Sequence, residues 1–298
     1  MTAFPLADVP SSAAAAAMRV LMIGLEWFDD NPGGGGRYLA DAARGLAARG
    51  HRVTVLVPRL NAADPAHEVV DGVRLHRFAL ARPWDKFTAI ARMLPELIAH
   101  EGPFDVVHSH FALYGAVPLY HPAVARARRV CQFQGPWAAE SAVEGASGAS
   151  RLAKYALERL AYARCDRFVT LSESFKGLLA RDYAVDPTRI SVVPAGIDQQ
   201  RFALGDRETA RRALGWGAGP TFFAMRRLVH RMGLEVLLEA FARVHAAHNE
   251  ARLAIAGTGP LSDALQAQAR ALGVAEAVRF LGRVSDAALV QCYQAADL

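Results

Sequence analysis

Short runs rich in Val, Ile, Leu and Phe alternate along the chain with longer stretches whose apolar residues recur every three or four positions. The first pattern is that of strands and the second that of amphipathic helices, so their alternation predicts crossover units around a parallel sheet. The strand candidates are "VLMIGL" (20–25), "RVTVLVP" (52–58), "VRLHRF" (73–78), "DVVHSH" (105–110), "RRVCQF" (128–133), "RFVTLS" (167–172) and "ISVVPAG" (190–196). Helices fit between most of them. In "RYLADAARGLAARGH" one stripe carries Leu39, Ala42, Ala43, Leu46 and Ala47, with Gly50 as the stop. Over 149–165 the same period runs through Leu152, Tyr155, Ala156, Leu160 and Ala163.

A polar, glycine-containing segment, "ALGDRETARRALGWGAGP" (203–220), interrupts the series, and a domain boundary is expected there, between a first domain over 18–205 and a second over 206–298. The second domain begins a new series: strand "TFFAMRR" (221–227), a helix over 233–248, strand "ARLAIAGTGP" (251–260), a helix over 261–272, strand "AVRFLGRV" (277–284) and a helix from Ser285. Three strands and one loose helix leave the faces of a parallel sheet uncovered, so this domain is expected to be incomplete. Residues 1–17 are Ala-rich, carry no Lys or Arg and include Asp8. They lack the basic start of a secretory signal and are expected to form a disordered lead-in, with Met18 an alternative start.

Composition narrows the class. Of 298 residues, 52% are hydrophobic and 21% charged, which excludes general disorder. No apolar run approaches the roughly 18 residues of a membrane-spanning helix. Cys131, Cys165 and Cys292 are odd in number and lack a CxxC spacing, which argues against a disulfide framework or a thiolate zinc site and for a reducing cytoplasm. The net charge is +5, with Arg spread along the chain rather than gathered in one run. That balance suits an anionic ligand or an anionic membrane surface and gives no sign of nucleic acid.

Two stretches carry candidate chemistry. "NPGGGGRYLA" (31–40) lies between the first strand and the first helix, where bare N–H groups at the positive end of a helix dipole suit a phosphate. No Gly-Lys-Ser/Thr follows, so it is not an ATP-type loop, and Tyr38 occupies the third glycine position of the dinucleotide fingerprint. A flexible strand-to-helix loop is the alternative reading. In "FAMRRLVHRMGLEVLLEAF" (223–241), Arg226, Arg227 and Arg231 gather at a strand end ahead of a helix. Like charges so placed repel unless an anion joins them, and a diphosphate would satisfy them; the alternative is that each points into solvent.

Seven segments occur in order over nearly all of 18–298: "GGGGRYLADAARGLAARGHRVTVLVP", "DVVHSHF", "FQGPWAAES", "VVPAGIDQQRF", "RRLVHRMGLEVLLEAF", "AGTGP" and "AVRFLGRVSDAALVQCYQAADL". In this set and order the chain resembles the family 4 retaining glycosyltransferases. The resemblance implies an α/β fold of the GT-B type, with two Rossmann-like domains facing across a cleft. It also implies transfer of a sugar from a nucleotide diphosphate sugar to an acceptor hydroxyl, with anomeric configuration retained.

Residue by residue, the resemblance assigns Gly34 and Gly35 to a loop facing the donor diphosphate, and Arg227 to the strand-end arginine that binds donor phosphates. Met232 stands where the family has a lysine, and Arg231 beside it is the substitute cation. His110 matches the histidine near the transferred sugar and is the catalytic candidate; His108 reads more simply as a buried strand histidine. "FQGPW" resembles a "HGPW" loop in which Gln134 replaces the histidine; Gln can bond a sugar hydroxyl but cannot carry a proton. Gln134, Gly135, Trp137 and Glu140 then form the acceptor side, with ordinary packing the alternative for Trp137. Gly257 and Gly259 let the backbone approach the donor nucleotide.

Charge building on the leaving diphosphate would be stabilised by arginines and helix N-termini, so no metal or other cofactor is expected, and no DxD pair is present. Relatives continue past "AADL" into an E-x7-E pattern whose glutamates hold the donor sugar, so the expectation is a fragment with little activity alone. Rival readings are a non-catalytic nucleotide-binding remnant, or an epimerase or phosphorylase on the same scaffold. A PLP-dependent phosphorylase is disfavoured because Lys176 is the last lysine. The expected partners are a nucleotide sugar and a glycan or lipid-linked acceptor, with the protein cytoplasmic or held peripherally at the inner face of the membrane.

Overall fold

The computed structural model describes residues 16–298 apart from 32, 81, 83 and 84. The expected lead-in therefore lies, for residues 1–15, outside the described residues, as does Pro32 of the glycine stretch. The chain divides into two compact units: one runs up to Ala138 and includes Ala149–Ala195, and the other comprises Ala139–Gly148 and Gly196–Leu298.

The first unit contains β1 (Arg19–Ile23), α1 (Gly34–Ala48), β2 (Arg52–Pro58), β3 (His67–Val70), β4 (Val73–Phe78), α2 (Asp85–Glu101), β5 (Val106–Ser109), α3 (Ala112–Gly115) and β6 (Arg128–Phe133). After β6 come α4 (Trp137–Val143) and α5 (Gly148–Ala163), each shared in part with the other unit, and then β7 (Arg167–Thr170), α6 (Glu173–Tyr183) and β8 (Ile190–Val192). The strands form one sheet in the order β3-β4-β2-β1-β5-β6-β7-β8, parallel except for the β3–β4 pair. Alternate residues of β1 enter opposite layers: Leu21 and Ile23 pack with α2 residues Ile90, Leu94 and Leu97, and Val20 and Met22 with α1 residues Leu39, Ala40 and Ala43. Burial on both faces is why β1 is apolar without interruption from Val20 to Ile23. Because β1 has β2 on one side and β5 on the other, the strand order reverses at this pair. In doubly wound sheets ligands bind at the carboxyl ends of such a pair.

One strand is added to those expected and two local expectations change. The segment 67–70 is a strand, joined to β4 by a turn with Asp71 (φ 52°) and Gly72 (φ 79°) both left-handed; the Asp-Gly pair is the hairpin signal that marks it. The core face of α5 is Glu158, Ala161 and Tyr162, whereas Leu152 and Leu160 are exposed. A charged residue at the centre of the buried face hides its period. Glu158 is fully buried because both its oxygens are bonded, by the Trp137 and Ala138 N–H groups at the start of α4 (2.8 and 3.2 Å) and by the Tyr183 hydroxyl (2.8 Å).

The second unit holds α7 (Arg207–Leu214), β9 (Thr221–Met225), α8 (Leu234–Ala247), β10 (Arg252–Ala256), α9 (Ser262–Ala271), β11 (Val278–Gly282) and α10 (Asp286–Ala295), with a parallel sheet in the order β11-β10-β9. A helix, α7, occupies the polar segment where the domain boundary is expected. Asp206 caps it by accepting from Thr209 N (2.8 Å), and Gly215 ends it in the left-handed conformation. Arg211 is buried on its inner side, donating to the Ala295 carbonyl (3.0 Å) and to Asp297 (2.5 Å), which also accepts from Thr221 N (2.8 Å). The Asp of "AADL" is thus a structural carboxylate that ties α7 to β9.

Candidate functional site

In the first unit the connection leaving β1 is pinned by Arg77 of β4, 5% exposed, whose guanidinium donates to both Asp30 oxygens at 2.7 Å. Beyond it Gly33 is extended and Gly34–Gly36 are the first turn of α1, so the expected glycine loop is largely helix. Opening N–H groups of a helix have no partner within it, and α1 has neither a side-chain cap nor an acidic residue in this turn.

The glycines are bare for different reasons. A Cβ on Gly36 would stand 3.0 Å from Glu26 Cγ and 3.4 Å from the Phe28 backbone, and one on Gly35 3.3 Å from Gln134 Oε1, whereas one on Gly34 would meet nothing within 4 Å. Packing accounts for Gly36 but not for Gly34. Gly34→Ala is therefore expected to stabilise the first unit by roughly 0.5–1 kcal/mol in denaturant unfolding, while weakening any anion held by the turn. Loss of stability instead would make the glycine structural.

Next to this turn, β5 delivers two histidines. The rings of His108 and His110 lie 4.2 Å apart, and His110 lies 5.9 Å from the Tyr38 ring of α1. His110 is 3% exposed with both ring nitrogens buried and unbonded, and His108 Nε2 shares that condition among the described residues; the buried Gln132 amide on β6 reaches the Tyr38 hydroxyl. Burial holds the His108 imidazole down to about 4, and burial together with His108 holds His110 well below the ordinary imidazole value. Both rings are neutral at pH 7. Each buried polar atom left unpaired costs about 1–3 kcal/mol, so their concentration at one place makes this the candidate site of the first unit. Gln132 joins the site from a position that sequence reading passed over; its even-numbered offset from Gln134 along a strand was the available signal.

Of the expected acceptor residues, Gln134 faces Gly35, and Gly135 (φ 142°) turns the chain in a conformation that favours glycine. Trp137 packs edge-on against Phe111 at 5.3 Å, with the Lys154 ammonium over its ring at 5.3 Å.

In the second unit, which includes Ala139–Gly148, Glu140 forms an ion pair with Arg231, and Glu144 lies 3.4 Å from the same guanidinium. Sequence reading assigned Glu140 and Arg231 to acceptor and donor separately; the structure brings them together, so Arg231 already has its counter-charge. Arg227 is exposed at the end of β9 and its side chain bonds no described residue, while Arg226 only reaches the neighbouring Met225 carbonyl.

The loop that carries Arg227 is fixed by backbone bonds: Arg226 N to Ala256 O and Leu228 N to Thr258 O, both 3.0 Å, while Gly257 N bonds Gly282 O at 2.8 Å. A Cβ on Gly257 would fall 1.9 Å from Arg226 O, and one on Gly259 2.4 Å from Leu228 O. These glycines let the Arg227 loop approach, a packing reason that stands beside the expected approach to a nucleotide. Among the described residues no cluster of three or more His, Cys, Asp or Glu is placed to hold a metal, and no helix is long and apolar enough to cross a membrane.

Two family models match the chain in succession. The Glycosyltransferase Family 4 model matches residues 32–201 and the Glycosyl transferases group 1 model matches residues 206–298. The D-inositol 3-phosphate glycosyltransferase of Segniliparus rotundus is 30% identical over 97% of this chain and 70% of its own length, and that of Rhodococcus jostii is 30% identical over 89% and 63%. The chain thus spans about two thirds of these relatives. Among solved structures, sucrose-phosphate synthase from Thermosynechococcus elongatus superposes with a TM-score of 0.75 (16% identity, 94% of this chain and 74% of that one). Anabaena HepE in complex with UDP-glucose gives 0.71 (18% identity, 94% and 72%). At these identities the structural likeness establishes the fold, GT-B, and the sequence relatives carry the family: the chain belongs to glycosyltransferase family 4.

Proposed function

We propose that the protein transfers a sugar from a nucleoside diphosphate sugar to an acceptor hydroxyl with retention of configuration. Residues 18–205 form the acceptor-side domain in this reading, and 206–298 the donor side. The observation that carries it is the group of unbonded buried ring nitrogens of His108 and His110 beside the uncapped turn of α1, at the reversal of the strand order. The solved HepE complex with UDP-glucose supports a nucleotide sugar as donor.

The barrier lies in breaking the anomeric C–O bond as charge builds on the departing diphosphate. Groups that meet this charge more strongly in the transition state than in the ground state accelerate the step. The Gly34 and Gly35 N–H groups and the Arg227 guanidinium serve that role. His110 is neutral at pH 7, so it orients a sugar hydroxyl through hydrogen bonds and is not a proton donor. Gln134 and Trp137 line the acceptor side. The acceptor's proton passes to the donor phosphate in a same-face attack. Acceptors to assay are glycans, lipid-linked sugars and, from the names of the relatives, D-inositol 3-phosphate.

Incubation with a panel of nucleotide sugars and these acceptors, with the product's anomeric configuration read by NMR, tests the reading; an inverted product overturns retention. For the donor site, Arg227→Ala is expected to weaken UDP binding more than tenfold by calorimetry, the loss of about one charge-assisted hydrogen bond to phosphate, with thermal unfolding unchanged. Equal affinity would remove Arg227 from the site.

A further inference from the structure

A concentration of charge lies at the amino-terminal ends of β6, β7 and β8, opposite the end that carries the histidines. Arg128 and Arg129 open β6, Arg167 opens β7, Arg189 immediately precedes β8 and Arg164 follows α5. All five guanidinium-bearing residues line one groove of about 460 Å³, together with Ala163, Cys165 and Asp166, the single carboxylate of the lining.

Their positions are fixed from the backbone. Asp166 N donates to Arg129 O and Arg129 N to Asp166 Oδ2, both at 2.7 Å, and Arg128 N donates to Asp105 O at 2.8 Å. The charge they bring together is poorly neutralised. Asp166 Oδ2 already accepts the Arg129 amide and lies 3.5 Å from Arg129 Nε, which is buried without a hydrogen bond among the described residues. Arg189 Nε reaches the Asp166 carbonyl at 3.2 Å, Arg167 the Thr188 carbonyl at 3.3 Å, and Arg164 lies over the Tyr120 ring at 4.6 Å. The Arg128 side chain bonds no described residue. Asp186 is near enough to feel Arg189 and Arg167, but its Oδ1 accepts from Thr188 N at 2.8 Å.

Arginines after a helix can complement its carbonyl end, yet no guanidinium here donates to a carbonyl of α5: those that bond backbone oxygen bond Asp166 and Thr188. Like charges gathered by strand ends are unfavourable without an anion, and guanidiniums match phosphate oxygens in planar, paired hydrogen bonds. A groove of this volume takes a compact head rather than the long basic stripe that nucleic acid needs.

We propose that the groove lined by Arg128, Arg129, Arg164, Arg167 and Arg189 binds a phosphate group, of a soluble phosphate ester or of a phospholipid head. It is separate from the site at the carboxyl ends of the strands and does not depend on the reaction proposed there.

The test uses the full chain and its Arg128→Ala/Arg167→Ala variant, both positions being exposed. Thermal unfolding of the variant is expected to match the parent, as for surface substitutions generally. Pyrophosphate is expected to slow amide exchange in peptides covering 126–130 and 163–169, and the variant to need at least tenfold more pyrophosphate for the same protection. In parallel, sedimentation at about 0.15 M salt with phosphatidylglycerol vesicles, against phosphatidylcholine vesicles, identifies the source. Pyrophosphate protection without pelleting assigns a soluble phosphate ester. Selective pelleting with phosphatidylglycerol that the variant loses assigns the lipid head. Absence of both effects, or equal effects in the variant, overturns the proposal.

Discussion

Alanine at Gly257 is expected to destabilise the second unit by about 3 kcal/mol or more, the largest effect of any single substitution considered. Two costs combine. Gly257 has φ 131°, a region that L side chains rarely enter, and its Cβ would fall 1.9 Å from the Arg226 carbonyl oxygen. No rotamer relieves a clash between a Cβ and a backbone atom, so the Arg226–Leu228 loop must move away and its bonds to Ala256 and Thr258 must stretch. UDP binding should fall along with stability, since the same loop presents Arg227. Denaturant unfolding of the variant checks the first effect and calorimetry the second. A loss of stability below about 1 kcal/mol would mean that the loop yields easily and that Arg227 is not rigidly held.

Acidification is expected to cost the first unit about 3 kcal/mol between pH 7 and pH 4 through His108 alone. The buried imidazole titrates at about 4, against about 6.5 in the unfolded chain. Between these values the unfolded state binds more protons than the folded one, so stability rises with pH across the window. The contribution is complete above about 6.5 and is lost as pH falls toward 4. His110, lowered by burial and by His108, acts in the same direction. Bonded carboxylates also make proteins acid-labile, so the measurement is the difference between the parent and a His108→Asn variant in urea unfolding at three pH values. The variant should show the shallower slope; parallel slopes would mean that His108 is solvated and titrates normally.

Where a strand is buried on both faces, sequence and structure agree closely: β2 occupies the expected 52–58 and is buried from Val53 to Pro58. An uninterrupted apolar run is a local property, and the sheet asks nothing else of it. Elements governed by a partner elsewhere were less legible. The α5 face was misplaced because Glu158 sits at its centre, acceptable only through donors from α4 and α6. The α7 helix was passed over because its buried residue is an arginine answered by Asp297, 86 positions away. Arg231 and Glu140 were read as parts of separate subsites for the same reason: their ion pair joins residues 91 positions apart.

Consecutive residues alone carry the alternation of strands and helices, the second strand series after the polar segment, and the ordered motifs that place the chain in its family. The folded chain alone shows that Gly257 and Gly259 lie against a neighbouring loop, and that the imidazoles beside α1 are left unbonded. It also gathered arginines from positions 128 to 189, which appear evenly spread along the chain, into one groove. The physical reason is common to all three. Periodicity is written in consecutive residues, whereas hydrogen-bond satisfaction, close backbone approach and charge density depend on which distant segments meet.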